Sequence, residues 1–312
     1  MTQSFVKLNG KRKHNWKRAA FIIVFLAFPL AHFAVFTLYV NLSAIIMAFQ
    51  EYSPATGSAV WNFTVNFRHF FTELRLTSSI YPKAILNSVL YFPVVCFVML
   101  PMSIISAYFL FRKIKCSKIF RFIFFLPNII PIVIMSIAYR NMWDASFGPL
   151  NMLISKLFGI PSHELPAWMV DPKYAMTMLY IYAVWAGIGY NVVLLNGSML
   201  RIPTEIFESA RLDGIGPWRE IWSIVIPLCW ETISTLFVTG AMVVFTQTLH
   251  PLVVTPGQVG RTWTIGLLVL QATESGQQYY AAAMGLMCVA VGVPIVQLLR
   301  KGMSKIYDTV EV

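Results

Sequence analysis

The stretch ESARLDGIGPWREIWSIVIP, residues 208–227, is a charged segment between two long apolar runs in a chain that otherwise avoids charge. The link 201–220 holds four acidic and three basic side chains, which are Arg201, Glu205, Glu208, Arg211, Asp213, Arg219 and Glu220. Pro203 suits a first helical turn, and Gly214 is typical of the left-handed residue that ends a helix. The pattern therefore predicts a short helix over 203–213, a glycine bend and a second helix outside the bilayer.

Outside this segment the composition is that of a membrane protein. Of the 312 residues, 57% are hydrophobic and 12% are charged, whereas soluble domains are about 25% charged. The mean hydropathy is +0.66. A helix needs roughly 20 apolar residues to cross about 30 Å of hydrocarbon. Six runs of that order occur, at 19–49, 84–111, 122–139, 174–200, 221–249 and 275–299. They lack the alternation of a membrane barrel, so we predict an all-α polytopic membrane protein with six transmembrane helices.

Lysine and arginine are distributed unevenly over the links. Six precede the first run, five lie in 112–121, three lie in 201–220 and three follow the sixth run; the other three links share the remaining seven of the 24. Cytoplasmic links carry the excess of basic residues. We therefore expect a multi-pass cell-membrane protein with both termini cytoplasmic, organised as a basic segment 1–18, a membrane domain 19–299 and a tail 300–312.

The sequence contains no pattern for catalysis, nucleotide binding or metal binding. HExxH, GxSxG and the phosphate-binding G-x-x-x-x-G-K-[ST] are all missing, and the four cysteines have neither disulfide nor zinc spacing. His163 and Glu164 have no second histidine nearby and are typical of a surface polar pair. We therefore expect no catalytic residue, no metal site and no cofactor in this chain.

The spacing within the charged segment resembles that of a known family. The pattern is E-A-A, three residues, G, nine residues, I-x-L-P, and it is matched by Glu208, Ala210, Gly214, Ile224 and Pro227. Ser209 stands in place of the second alanine, and Ile226 in place of the leucine. The segment resembles the cytoplasmic coupling loop of ABC importer membrane subunits, in particular carbohydrate-uptake permeases of the maltose and glycerol-phosphate type. The stretch RFIFFLPNIIPIVIMSIAYR, residues 121–140, is similar to their third span.

This resemblance implies a type I ABC importer permease fold with a cytoplasmic coupling helix. In that family the coupling helix docks on a cytoplasmic ATPase, so the resemblance places ATP and Mg on two partner ATPase subunits. It further implies an extracellular solute-binding protein and a second permease subunit, which is either a similar chain in a heterodimer, the favoured arrangement, or a second copy of this chain. The coupling positions that it carries over are Glu205, Glu208, Ser209, Ala210, Asp213, Gly214, Trp218 and Pro227.

For the solute, the same resemblance indicates a sugar or an oligosaccharide. A sugar needs aromatic faces together with amide or hydroxyl groups at mid-membrane depth. The residues that offer such groups, or share a helical face with them, are Tyr182, Trp185, Gly189, Asn191, Asn196, Thr246 and Gln247. Packing against lipid or a neighbouring helix is the competing interpretation of each of them.

Glu231 is the one acidic residue in the fifth apolar run, and an ionisable group inside a span is a functional candidate by default. If the helix breaks near Pro227, Glu231 lies one turn from the cytoplasmic surface and reaches water or a headgroup. In an unbroken helix it is a candidate proton carrier. The alternative function is therefore a proton-coupled secondary transporter. An intramembrane enzyme is less favoured, because no paired acid, histidine or serine constellation is present.

Overall fold

The computed structural model describes residues 16–76, 78–255 and 262–307, and these are mainly α-helical. The elements are, in chain order, α1 (Ala20–Ala48, continuous with helical residues 16–19), β1 (Gln50–Ser53), β2 (Ser58–Trp61), α2 (Val65–Arg75), α3 (Tyr81–Phe111), α4 (Ser117–Ile129), α5 (Ile132–Met142), α6 (Pro149–Phe158), a 3-10 turn (Ser162–Glu164), α7 (Ala175–Met199), α8 (Thr204–Leu212), α9 (Pro217–Leu228), α10 (Trp230–Thr246), α11 (Leu249–Val254), α12 (Ile265–Glu274) and α13 (Gln278–Met303). Residues 1–15 of the predicted segment 1–18 and residues 308–312 of the predicted tail fall outside the described residues.

The helices provide up to six membrane crossings. Four of them, α1, α3, α7 and α13, are each long and apolar enough to cross a bilayer alone. The other two crossings are bent pairs, α4 with α5 at 109° and α9 with α10 at 81°. The predicted all-α membrane fold is confirmed. The third and fifth apolar runs, however, each form two helices rather than one.

Proline accounts for the bend between α4 and α5. A residue that precedes proline is driven out of the helical region by the proline ring, and Ile130 is extended, with ψ 136°. Pro131 has ψ 134° and becomes the N-cap of α5. The missing proline N–H is therefore lost at a helix start, where it would have had no intrahelical partner.

The second bend lies just beyond Pro227. The ring of a proline clashes with the carbonyl of the residue four positions earlier, here Ser223, which lies in a wider π-helical segment at Ile221–Val225. The chain then breaks at Cys229, and α10 begins at Trp230. Glu231 is exposed in the first turn after this break. The structure thus has the broken helix that the interfacial interpretation of Glu231 requires.

The core lies where α7 packs between α3 and α4, with α10 against the first half of α3 and α9 against its last turns. Gly189 on α7 faces the backbone of α4 so closely that an added Cβ would lie 2.0 Å from the carbonyl oxygen of Phe124. On the other side, α13 packs against α10, α12 and the second half of α1. This arrangement places the charged segment directly beneath the helices that form the core.

The links at the opposite end from the charged segment fold into small ordered units. Strands β1 and β2 form an antiparallel hairpin with Gln50 opposite Trp61. The buried amide of Asn66 donates to the carbonyl oxygens of Ala48, at 3.1 Å, and of Gln50, at 2.8 Å. These bonds fix α2 to the end of α1. The Nε1–H of Trp168 donates to Asn151 over 2.9 Å and closes the link that contains α6.

Candidate functional site

The charged segment folds as two helices joined by a glycine bend, and residues 203–228 are called the elbow below. The first helix, α8, ends in a Schellman motif: Gly214 N–H donates to the carbonyl of Arg211 at 3.1 Å, and Ile215 N–H to that of Ala210 at 2.9 Å. Gly214 has φ +71°, a conformation that costs a residue with a Cβ about 1–2 kcal/mol. The predicted helix, glycine and helix arrangement is present, with α8 one residue shorter at each end.

The two faces of α8 have different surroundings. Phe207 and Ala210 are each only 4% exposed, because they face the core of the chain. Glu205 and Glu208 are exposed, and Leu212 is 89% exposed. The small side chain of Ala210 lets α8 pack closely on its own domain, so the outer face consists of other residues; the coupling role of Ala210 stays a prediction.

The remaining predicted elbow positions lie on the surface of the elbow, whereas Glu220, which was not predicted, is buried. Ser209, Asp213 and Trp218 are exposed, and Pro227 is half-buried at the end of α9. Glu220, which the motif does not single out, is 1% exposed and pairs with Arg112, with Nη2 and Oε2 3.5 Å apart. The burial of its charge distinguishes Glu220 from the exposed acidic residues of the elbow. That burial is seen only in the folded structure.

A recess opens at the bend between α4 and α5, and α7 and α11 close its sides. Its volume is about 470 Å³, and its polar side chains are those of Asn128, Tyr182 and His250. The amide of Asn128 donates to the carbonyl of Ala186 over 3.1 Å, which holds it against α7. The third apolar run begins at Phe122, eight residues before Ile130, so the recess lies about 12 Å from the elbow side of the membrane at 1.5 Å per residue.

Tyr182 is the centre of an aromatic cluster beside this recess. Its ring centroid lies 4.9 Å from that of Tyr139 and 4.8 Å from that of His250. Its hydroxyl shares a 2.9 Å hydrogen bond with Ser136. Trp185 stacks on Tyr139 at 5.8 Å and is 37% exposed, in the apolar groove between α3, α4 and α7. The cluster joins α5, α7 and α11 into one wall.

Three of the residues predicted for a solute path are brought together here. Tyr182 and Trp185 are neighbours, with centroids 6.1 Å apart. The side chain of Gln247 is in hydrogen-bond contact with His250, whose ring meets Tyr182. The path through these three side chains stays a prediction, and the structure gives it a defined place.

The other four predicted path residues lie elsewhere. Gly189 serves the close contact of α7 with α4. Asn196 accepts a 3.1 Å hydrogen bond from Arg121 and donates to the carbonyl of Ala107 at 3.4 Å, so its amide ties helices together. Asn191 is buried on α7. Thr246 lines a different groove, between α10, α12 and α13.

Sequence reasoning missed Asn128 and His250. His250 stands one residue beyond the end of the fifth apolar run, and an ionisable residue at membrane depth is itself a functional signal. Asn128 lies between two prolines, Pro127 and Pro131, and irregular backbone at this depth is tolerated where it lines a cavity. Among the residues that the structure describes, no group of three or more His, Cys, Asp or Glu side chains could hold a metal ion.

Comparison with known proteins shows to which family this chain is related. The profile of the binding-protein-dependent transport system inner membrane component matches residues 99–304. The diacetylchitobiose uptake system permease protein NgcF of Streptomyces coelicolor is 27% identical over 90% of this chain and 81% of its own length. The maltose/maltodextrin transport system permease proteins MalF of Klebsiella aerogenes and Escherichia coli K12 are 33% and 31% identical over 129 residues, 41% of this chain. The match spans about a quarter of their length, 24%.

Solved structures show the same fold. A chain of a bacterial ABC transporter involved in the import of the acidic polysaccharide alginate aligns with a TM-score of 0.79 at 20% identity, over 93% of this chain and 97% of that one. A chain of the alginate transporter in complex with its periplasmic protein aligns at 0.78. The resemblance stated from the elbow is thereby confirmed, and a secondary transporter that works alone is disfavoured. The chain belongs to the family of binding-protein-dependent transport system inner membrane components, and it is a multi-pass permease subunit rather than an enzyme.

Proposed function

We propose that this permease forms the translocation path of an ATP-driven importer for a sugar or an oligosaccharide. The relatives are named for the uptake of diacetylchitobiose and of maltose or maltodextrin, and the structural neighbours for that of alginate. The observation that carries the proposal is the recess at the bend of α4, which combines an amide, a phenol and an imidazole with an aromatic wall. Such a set suits the hydroxyl groups and the C–H faces of a sugar.

The depth of the recess supports this assignment. Transporter folds bind their solutes near the bilayer midplane, at discontinuous helices, and the recess lies at the discontinuity between Ile129 and Ile132. Tyr182 lies seven residues into α7 from Ala175, about 10 Å from that end of the helix. The recess therefore lies inside the ~30 Å of hydrocarbon rather than at either surface.

The elbow is the surface proposed to engage the partner ATPase, which would bind ATP and Mg. Its outer face carries Glu205, Glu208, Ser209 and Leu212, and an exposed leucine among carboxylates suits a protein cleft better than lipid headgroups. Its inner face is packed on the core, so a force on α8 reaches α3 through rigid contacts. A partner that binds the exposed face can therefore displace the elbow as a rigid unit, and the displacement reaches the core on which the elbow packs.

The remaining partners follow from the family and from the surface of α1. Transport systems of this family depend on a binding protein, so a solute-binding protein is one proposed partner. The most apolar stretch of α1 is wholly exposed, and within the described residues only its second half packs on another helix of the chain, α13. A second permease subunit, forming a heterodimer with this one, would lie against this exposed surface together with lipid. The basic links support a cytoplasmic position for both termini.

Uptake of labelled saccharides by the complex in proteoliposomes tests the solute class. The probes are N,N′-diacetylchitobiose, maltose and an alginate oligosaccharide, each with its binding protein and with ATP inside. We expect uptake of at least one, and Asn128→Ala and His250→Ala to lower it about tenfold, about 1.4 kcal/mol each. Thr239→Ala, an exposed polar change on α10, is the control and retains uptake. ATP-driven uptake of a non-saccharide alone would contradict the proposal.

A pair of glycine variants tests the elbow. A Cβ would meet no atom within 4 Å at either Gly214 or Gly216, but only Gly214 has positive φ. Gly214→Val therefore strains the bend by about 1–2 kcal/mol or more, whereas Gly216→Val does not. We expect Gly214→Val to reach the membrane but to lose co-purifying ATPase, and Gly216→Val to retain it. Equal ATPase recovery from both variants would refute docking through the bend.

A further inference from the structure

The end of α3 contacts both halves of the elbow. The ring of Phe111 lies 5.1 Å from that of Phe207 on α8. One residue later, Nη2 of Arg112 lies 3.5 Å from Oε2 of Glu220, the last residue before the π-helical segment of α9. These contacts have different character. The hydrophobic burial that the aromatic contact provides is non-directional, whereas a guanidinium and a carboxylate have a defined mutual geometry.

Glu220 is the unusual member of this arrangement. Its side chain is 1% exposed, and its other oxygen, Oε1, is buried without a hydrogen-bond partner in the described part of the chain. The guanidinium of Arg112 also lies 6.0 Å from the ring centroid of Tyr108, whose hydroxyl is buried and lies near both Arg112 and Glu220. A carboxylate in this setting depends on Arg112 as its counter-charge. Removing one partner of such a pair leaves an uncompensated buried charge.

A buried ion pair contributes little net stability compared with apolar side chains of the same volume. An apolar pair would hold the elbow to α3 equally well, but it would allow the two to slide. We propose that Arg112 and Glu220 are positioning residues that fix the orientation of the elbow on α3, so that displacement of the elbow by the ATPase reaches the core. This rests on the proposed coupling function of the elbow and adds to it two residues outside the recognised motif.

The route from this pair to the recess runs along two packed helices. Helix α3 packs along α7, and α7 carries Tyr182 in the wall of the recess. On the far side of the pair, the chain breaks at Cys229 with an 81° bend. The elbow and the end of α3 therefore move together, and the break allows α10 to change its angle to them.

The test measures the response of the recess to nucleotide and needs no solute. The complex with its ATPase and binding protein carries Ala186→Cys, a recess residue, in a chain whose four native cysteines are replaced by alanine. The rate of labelling by a maleimide is compared without nucleotide and after trapping with ATP and vanadate. Glu220→Gln and Arg112→Gln remove one charge each, and Arg112→Glu with Glu220→Arg reverses the pair. Lys113→Gln, next to Arg112 but exposed and outside the elbow, is the matched control.

We expect nucleotide to change labelling about fivefold or more in the parent and in Lys113→Gln, the size of an ordinary coupling free energy. In both charge-removing variants the ATPase stays bound and hydrolyses ATP, but labelling changes less than about twofold, and the reversed pair restores most of the response. A full response in Glu220→Gln and Arg112→Gln overturns the inference. If a single variant fails to accumulate in the membrane, the reversed pair decides: an absent response there also overturns it. Loss of ATPase binding from the parent complex would instead refute the coupling function itself.

Discussion

Gly189 lies where α7 crosses α4, and replacing it with alanine measures how closely these helices pack. The added Cβ would lie 2.0 Å from the carbonyl oxygen of Phe124 and 2.8 Å from Nδ2 of Asn128. A carbon approaches a carbonyl oxygen no closer than about 3.3 Å even in a favourable contact. The two backbones must therefore separate locally by more than about 1 Å, because a backbone carbonyl cannot rotate aside as a side chain can.

The free energy of this change is the balance of three contributions. Overpacking of this kind costs about 1–3 kcal/mol, and disturbing the 3.1 Å hydrogen bond from Asn128 to Ala186 costs about 1 kcal/mol more. Against these costs, alanine stabilises a helix relative to glycine by up to about 1 kcal/mol. We expect Gly189→Ala to lower the free energy of unfolding by about 1–3 kcal/mol. The same change at Gly197 of α7, where a Cβ meets nothing within 4 Å, should leave stability unchanged or raise it.

The assay is thermal unfolding of the purified permease in detergent, with parent, Gly189→Ala and Gly197→Ala measured side by side. At about 2–4 °C per kcal/mol, Gly189→Ala should unfold several degrees below the parent and Gly197→Ala at or above it. Equal midpoints for the two variants would refute the direct backbone contact between α4 and α7. They would also return Gly189 to the set of open path residues that the sequence predicts.

Two further changes are expected to have measurable effects. Tyr182→Phe removes the buried 2.9 Å hydrogen bond to Ser136 and should lower stability by about 1–3 kcal/mol, because the serine hydroxyl is left unpaired. Adding Ser136→Ala should recover part of that loss in the same unfolding assay, and a greater loss in the double variant would contradict the pairing. Trp230→Phe removes the 2.8 Å bond from its Nε1–H to the carbonyl of Met303 and should speed limited proteolysis at the end of α13. The exposed Trp222→Phe is its control, and equal cleavage rates would argue against this anchor.

Hydropathy predicts the crossings well because the bilayer sets the length of an apolar helix. It does not predict which crossings bend. Pro93 and Pro294 lie inside helices that continue, whereas Pro131 starts a new helix at 109° to the last. Whether a proline ends a membrane helix depends on whether neighbouring segments satisfy the freed carbonyls. That is a property of the packed fold, so the residues around LPNIIP, 126–131, could not reveal the recess by themselves.

The elbow was predictable because its determinants are local. A left-handed glycine, a helix and a proline at the start of the next helix are all read within one short stretch. The contacts of Tyr182 with His250 and of Arg112 with Glu220 join segments far apart in the chain, and no local pattern pairs such residues. The path residues on α7 were chosen by helical periodicity, which gives the face of a helix but not which neighbour covers that face.

The burial of α8 shows how a small residue in the motif can act without contacting a partner. Glu205, Glu208 and Leu212 recur at i, i+3 and i+7 and form the outer face, while Phe207 and Ala210 face inward. A larger side chain at Ala210 would meet the core and push α8 outward, toward the ATPase. The change would alter the height of the docking surface above α3 and would strain the Phe111–Phe207 contact. A bulky residue at Ala210 should thus weaken coupling because it moves the outer face of α8, although the side chains on that face stay the same.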